Sequence, residues 1–287
     1  MRKLLPLLAI VALTFAGCRK DTATVLMAPV HVSLGDFEVI AGDPTSAKDE
    51  PLATYSGVKA VTLAFYSSTG ALTYSATQLR ADSTTYATFG EFDLTLPMDS
   101  YTMEVFAYGS EQPLTLNGMA EASYTADKVR ETFVATQAVS ITGTSLVNIS
   151  ATLHRINNKL QLFSTDPQPA SIDSVRITYS AGGKSFNPLT GYATVNSGLV
   201  NSVKSVPGSN GLTRVGSYIL LNANEQYVDI TIDAIDTTSA VVFHKEIINV
   251  PLRRNAVTTL QGSMYSAAAT SLFTLHTDYD SLIVINF

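Results

Sequence analysis

Through most of this sequence apolar side chains alternate with small or polar ones, and that period of two is what most restricts its fold. Successive side chains of an extended strand point to opposite faces, so the alternation describes strands with one buried face. Val61, Leu63 and Phe65 follow it up to a Ser67-Ser68-Thr69-Gly70 turn signal. Phe92, Leu94 and Leu96 follow it into Pro97-Met98-Asp99-Ser100, and Tyr101, Met103, Val105 and Ala107 resume it on the way back. Val147, Ile149, Ala151 and Leu153 share one face before Arg155 interrupts. Val175, Ile177 and Tyr179 lead into Ala181-Gly182-Gly183-Lys184, which predicts a hairpin turn. Val228, Ile230, Ile232 and Ala234 alternate with Asp229, Thr231 and Asp233. After Phe273, Leu275 and Thr277 comes a turn at residues 278–281, then Leu282-Ile283-Val284-Ile285-Asn286-Phe287. A helical spacing shows only in residues 126–134, where Val129 and Phe133 stand four apart and allow one short helix.

Many short strands between turn signals predict an all-β chain of two tandem β-sandwich domains rather than a parallel sheet. The division is expected near residues 144–148, giving domains of residues 28–146 and 147–287. The Gly/Ser/Asn-rich stretch of residues 197–216 reads as a long loop inside the second.

The start of the chain reads as an export signal. Arg2 and Lys3 precede an apolar run over residues 4–15, long enough for a signal peptide core and too short to span a bilayer. The run ends in Leu13-Thr14-Phe15-Ala16-Gly17-Cys18, which resembles a bacterial lipobox. Residues 1–17 are therefore expected to be removed, residues 18–27 to form a short tether, and Cys18 to carry acyl chains such as palmitate. Each buried CH₂ of such a chain contributes about 0.8 kcal/mol to membrane attachment. The expected location is the outer membrane, lipid-anchored, at the cell surface. Cys18 is the only cysteine, so no internal disulfide is expected and stability must come from apolar burial. Lys and Arg number 18 against 24 Asp and Glu, a net charge of −6 that becomes −8 once Arg2 and Lys3 are lost. That balance argues against a nucleic-acid partner.

Catalytic signatures are missing. The sequence contains no G-x-S-x-G elbow, phosphate-binding Gly loop or H-E-x-x-H pair. His31, His154, His244 and His276 stand far apart with no ligand spacing, so no metal is expected. Asp278 and Asp280 lack the Gly and distal Glu of a calcium loop and read as a turn. No enzyme activity and no cofactor beyond the covalent lipid are expected. Arg155 is read as leaving the core and pairing with a nearby carboxylate, and Arg253-Arg254 as a turn with solvated charge.

Four segments in order resemble the fimbrillin superfamily of Bacteroidetes, subunits of fimbriae and related surface lipoproteins. They are V-T-L-A-F-Y-S-S-T-G-A-L (61–72), F-D-L-T-L-P-M-D-S-Y-T-M-E-V-F-A-Y (92–108), L-H-R-I-N-N-K-L-Q-L (153–162) and V-P-L-R-R-N-A-V-T-T-L-Q-G-S-M-Y (250–265). Ser100 stands where the family commonly has Gly, and Asn158 where it has Ala. The resemblance implies two transthyretin-like sandwiches and a structural or adhesive role at the cell surface. Partners would be other fimbrial subunits or further copies of the chain, the outer membrane through the lipid, and ligands on host or bacterial surfaces. It also implies assembly by strand exchange, in which a protease removes the first strand and an extended strand of the next subunit fills the groove.

The parts for such an exchange are present. Residues 28–41 read as an early strand, with Val32 and Leu34 on one face and a shift at Gly35. Residues 42–51 are polar and bounded by prolines, and Lys48 marks a possible processing loop, since no arginine lies between Arg19 and Arg80. Leu282, Ile283, Val284, Ile285 and Phe287 form the candidate donor strand, which equally reads as the last strand of its own sandwich. The alternative function is a surface glycan-binding lipoprotein of a polysaccharide-uptake system. Such proteins usually display Trp for sugar stacking; this chain has none, although 13 Tyr are available.

Overall fold

Alternation becomes sheet almost everywhere in the computed structural model, which describes residues 25–37, 51–124, 128–266 and 282–286. The first sandwich contains β1 (Met27–Phe37), β2 (Ala60–Ser67), β3 (Leu72–Leu79), β4 (Glu91–Pro97) and β5 (Ser100–Tyr108). Short β6 (Thr115–Leu116) and β7 (Ala122–Ser123) follow, then β8 (Thr132–Ser140) and β9 (Val147–Arg155). The seven long strands form one sheet in the order β3-β2-β5-β8-β9-β1-β4. That sheet folds over itself at β9. Val147 to Leu153 run parallel to β1, while His154 and Arg155 pair with Val134 and Phe133 of β8. One core then takes the inward side chains of both halves. Val30, Val32, Phe92 and Ile149 come from one side, and Leu63, Phe65, Met103, Val105 and Phe133 from the other.

The second sandwich contains β10 (Asn157–Pro167), β11 (Ile172–Tyr179), β12 (Ser185–Phe186), β13 (Leu199–Lys204) and β14 (Leu212–Leu220). It continues through β15 (Glu225–Asp236), β16 (Val241–Arg253), β17 (Val257–Gly262) and β18 (Leu282–Asn286). Its two four-stranded sheets, β14-β10-β17-β18 and β13-β11-β15-β16, enclose Leu160, Leu162, Val175, Ile177, Ile230, Ile232 and Leu260.

A third apolar cluster joins the sandwiches. Phe106, Tyr108 and Val134 project from the outer face of the first sheet and meet Tyr124, Ile156, Phe186 and Leu220. The rings of Phe106 and Phe186 lie 6.0 Å apart, and β12 pairs with β7 to bridge the two units through backbone hydrogen bonds.

Five expectations are corrected. The strand expected to open the second domain at residue 147 closes the first, because β9 pairs with β8 and β1, and the chain crosses over at Ile156. No helix forms among the described part of residues 126–134: Thr132 onward is strand β8, buried on both faces at its start, which removes the period-two signal. Residues 197–216 are not one loop. They hold β13 and the start of β14, whose polar side chains are used inside, Asn201 donating to Ser217 Oγ and the Tyr218 carbonyl. Gly182-Gly183 turn the chain away to the junction rather than into a hairpin, since β11 pairs with β13 and β15. Likewise Pro97 to Ser100 carry the chain between the two halves of the folded sheet: β4 pairs with β1, β5 with β2 and β8, and the Tyr101 hydroxyl donates to the Pro97 carbonyl at 2.9 Å across the corner. The Ser67–Gly70 turn does join a hairpin, with Gly70 at φ 79°.

A candidate exchange groove and the junction beside it

β1 is held on both edges. It runs antiparallel to β4 from Met27↔Pro97 to Ser33↔Glu91, and parallel to β9 from Val30↔Val147 to Phe37↔Leu153. The register shifts between Leu34 and Asp36, so Gly35 sits at a bulge, where the sequence places the change of face. Ala28, Val30, Val32 and Leu34 point into the core and are buried, while Met27 and Pro29 face out. Burying a Val or Leu side chain stabilises by about 1.5–3 kcal/mol, so Val30, Val32 and Leu34 together contribute about 5–9 kcal/mol. Without β1, two strand edges and an apolar slot between them would be open.

The far end of that slot is closed by a clasp. Phe37 packs on Phe133 at 4.6 Å and on Tyr55 at 5.5 Å. Behind these rings Arg155 Nη2 meets Glu131 Oε1 at 2.5 Å, and the Tyr55 hydroxyl donates to Glu131 Oε2 at 2.6 Å. Arg155 therefore pairs with a carboxylate as expected, yet it stays inside, only 4% exposed, where the expectation had it leaving the core. Its guanidinium lies over the Phe133 ring at 5.0 Å, which offsets part of the desolvation. The other end is tied by the Met98 N–H donating to the Leu26 carbonyl, and the outer face by His31 Nδ1 and Asp93 at 2.8 Å.

Cys18, Lys48, Phe287, His276, Asp278 and Asp280 lie outside the described residues. Leu282, Ile283, Val284 and Ile285 fall in β18, which runs parallel to β17 at the edge of its own sheet. The chain leaving β17 is pinned. The Asp166 carboxylate accepts the N–H groups of Met264, Tyr265 and Ser266 and the Ser263 hydroxyl. Burial alone would raise the Asp166 pKa, but these hydrogen bonds outweigh it and leave the group lowered.

The first sandwich also buries Glu104, neither of whose oxygens is hydrogen-bonded among the described residues. Burial pushes its pKa up to about 8, and the neighbouring Tyr66 hydroxyl, also unpartnered, goes to about 12 from burial and from Glu104. In the second sandwich the acidic cluster faces outward: Asp233 takes two donors from Arg176 and one from His244, and His244 Nε2 approaches Glu246 at 3.4 Å. Among the described residues no three His, Cys, Asp or Glu gather in a way that could hold a metal.

Sequence reasoning missed the crossover residues. Asn157 donates to the Arg130 carbonyl of the first sandwich, and Asn158 donates to the Arg253 and Ala256 carbonyls and Thr258 Oγ1 of the second. The departure at Asn158 is thereby explained: an Ala there would leave the 253–256 turn without these donors. The adjacent dipeptide of amides after a strand was the available signal.

Residues 61–284 match a family of unknown function (DUF6562). No curated protein matches the sequence. Among solved structures, a candidate adhesin from Bacteroides ovatus superposes with a TM-score of 0.51 at 13% identity, over 76% of this chain and 77% of that one. A second candidate adhesin, from Bacteroides ovatus ATCC 8483, gives 0.50 at 11% identity, over 79% and 84%. The fimbrial anchor protein Mfa2 from Porphyromonas gingivalis gives 0.43 at 13% identity, over 77% and 83%. The first two likenesses show a fold shared with these candidate adhesins of Bacteroides, as the resemblance of the four segments led one to expect.

Proposed function

The chain belongs to the family of unknown function DUF6562, and from the setting of its first strand we propose that it is a fimbrillin-like structural or adhesive surface subunit. It assembles by β-strand exchange or anchors the fibre that does. The observation carrying this reading is that β1 lies inside a sheet, bonded to β9 on one side and to the edge strand β4 on the other, and is not itself an edge. Its connection onward runs through residues 38–50, which include Lys48. Cutting there separates β1 from the rest of its sandwich, and the emptied slot accepts an extended strand whose alternate side chains replace Val30, Val32 and Leu34. The apolar run Leu282, Ile283, Val284 and Ile285, with Phe287 after Asn286, supplies such a strand. A pinned turn at Asp166 keeps the end of β17 in place if β18 leaves.

In this reading the lipid on Cys18 holds the unprocessed protein on the outer membrane. The partners are further subunits, and no catalytic step is involved. N-terminal sequencing of protein from native cells tests processing, and gels run in mild SDS without boiling test assembly. Shaft-type assembly requires an N-terminus just after Lys48 and a ladder of multimers. An acylated Cys18 on every molecule with no multimer rules out the shaft role, and absence of any fimbrial partner on cross-linking rules out the anchor role as well.

A further inference from the structure

Between the sandwiches, beside the crossover at Ile156, lies an open cleft of about 530 Å³, within the size range of small-ligand sites. Arg254 enters it from the turn after β16 and is held in place by three consecutive residues from the opposite wall. Its Nη1 donates to the Thr190 carbonyl at 2.9 Å, and its guanidinium lies over the Tyr192 ring at 4.8 Å. Gly191, at φ 72°, leaves the necessary room, since a Cβ there would come within 2.9 Å of the same nitrogen. The Tyr192 ring is itself fixed by its hydroxyl, which donates to Asn224 Oδ1 at 3.0 Å.

This is a preorganised cation with its charge left over. No carboxylate pairs with Arg254 among the described residues. The two acids nearest in role are taken: Glu131 by Arg155, and Glu225, at 3.7 Å and half exposed, by Arg253. Arg253, paired with Glu225 at 3.7 Å, lines the same cleft in a chain whose net charge is −6. Asn255 lines it too, as does Asn224. A guanidinium that spends one nitrogen on Thr190 and has no counter-charge among the described residues, beside two side-chain amides, calls for a ligand that brings an anion and hydroxyls together. Pro188 and Leu189 give the cleft an apolar wall suited to the CH face of a ring.

We propose that this cleft binds the carboxylated ring of an acidic sugar, its carboxylate on Arg254 with Arg253 adding charge beside it, and its hydroxyls on the side-chain amides of Asn255 and Asn224. The proposal concerns what the molecule binds and stands whether or not strands are exchanged. An acidic peptide offers the anion without the ring hydroxyls, and is the lesser fit.

Calorimetric or chemical-shift titration of the purified protein with galacturonate, glucuronate and N-acetylneuraminate, and with neutral galactose, tests it. At least one acid is expected to bind, with galactose weaker by about tenfold or more, as expected when a charge-assisted bidentate contact is lost. Arg254→Gln is expected to weaken the acid by a similar factor, Arg253→Gln by less. Arg214→Gln, which removes a guanidinium lying over Phe163 elsewhere in the second sandwich, is expected to leave binding unchanged. Failure of all three acids to bind, equal binding of galactose, or unchanged affinity in Arg254→Gln overturns the proposal. If a thermal melt shows that Arg254→Gln has lost its fold, the exposed Arg253→Gln carries the test, and unchanged affinity there counts against it.

Discussion

The two sandwiches are built to the same plan and differ in where each keeps its terminal strand and its charges. The first places β1 between two strands and buries ionisable groups: the Arg155–Glu131 pair beside that strand, and Glu104 with no hydrogen-bond partner among the described residues. The second places β18 on an edge and covers its buried Asp233 with the part-exposed Arg176 and His244 on the outer side of the sheet. A strand inside a sheet is bonded along both sides and roofed by a core; an edge strand is bonded along one. Under the proposed strand exchange the first sandwich would be the acceptor and the second the donor, and each of the following changes probes that contrast.

The largest expected effect comes from the terminal strands. A chain shortened to begin at Pro51 loses about 5–9 kcal/mol of side-chain burial, comparable to the whole stability of an ordinary domain. It is expected to be unfolded, or folded only in multimers, in chemical denaturation. A chain ending at Ser281 loses one edge and is expected to keep a cooperative transition in both sandwiches. Equal losses in the two would erase the comparison.

Next comes the clasp. Glu131→Gln leaves the Arg155 guanidinium buried without its counter-charge, which typically destabilises by about 3–5 kcal/mol. The loss is expected to fall on the first sandwich and to release Phe37, seen as faster hydrogen exchange along β1. Glu225→Gln, which breaks the half-exposed pair with Arg253, is expected to change stability by less than about 1 kcal/mol.

Glu104 is expected to make the first sandwich pH-sensitive. Its pKa is raised in the folded state from 4.5 to about 8, so its contribution is fully present below about pH 4.5 and is lost as the pH rises through about 8. The loss runs at up to about 1.4 kcal/mol per pH unit across that window. Denaturation midpoints measured between about pH 5 and 9 are expected to fall in the native protein and to stay flat in Glu104→Gln. A flat native profile would show that the acid is solvated or paired.

The smallest effect belongs to the outer face of the second sandwich. The hydrogen bond to Asp233 raises the His244 pKa above 6.5, so the ion pair stabilises below that pH and fades as the pH rises past the folded value. His244 is 54% exposed and solvent-screened, so His244→Gln is expected to move stability by only a few tenths of a kcal/mol at pH 6.

How legible this was in the sequence depended on how many faces each strand buries. β9, with Ile149, Ala151 and Leu153 inside and Asn148, Ser150 and Thr152 outside, reads directly from its residues. β1 reads too, down to the bulge at Gly35. β8 did not, because Thr132 to Ala135 are buried on both faces against the core and the junction. The domain boundary was placed too early for a related reason: β9 and β10 are separated by Ile156 alone, so no linker composition marks the crossover. The cleft was invisible because Arg254 and Thr190 stand 64 residues apart and meet only once both sandwiches are folded.

The central claim is that the slot held by β1 takes a strand from another molecule. A site-specific protease sequence placed at Lys48 tests it most directly, with the folded protein cut and then analysed unboiled in mild SDS. A cut-dependent ladder of multimers is expected, and it should disappear when the chain ends at Ser281. A cut protein that stays monomeric with β1 still bound, or a ladder that forms equally well without residues 282–287, would contradict the claim.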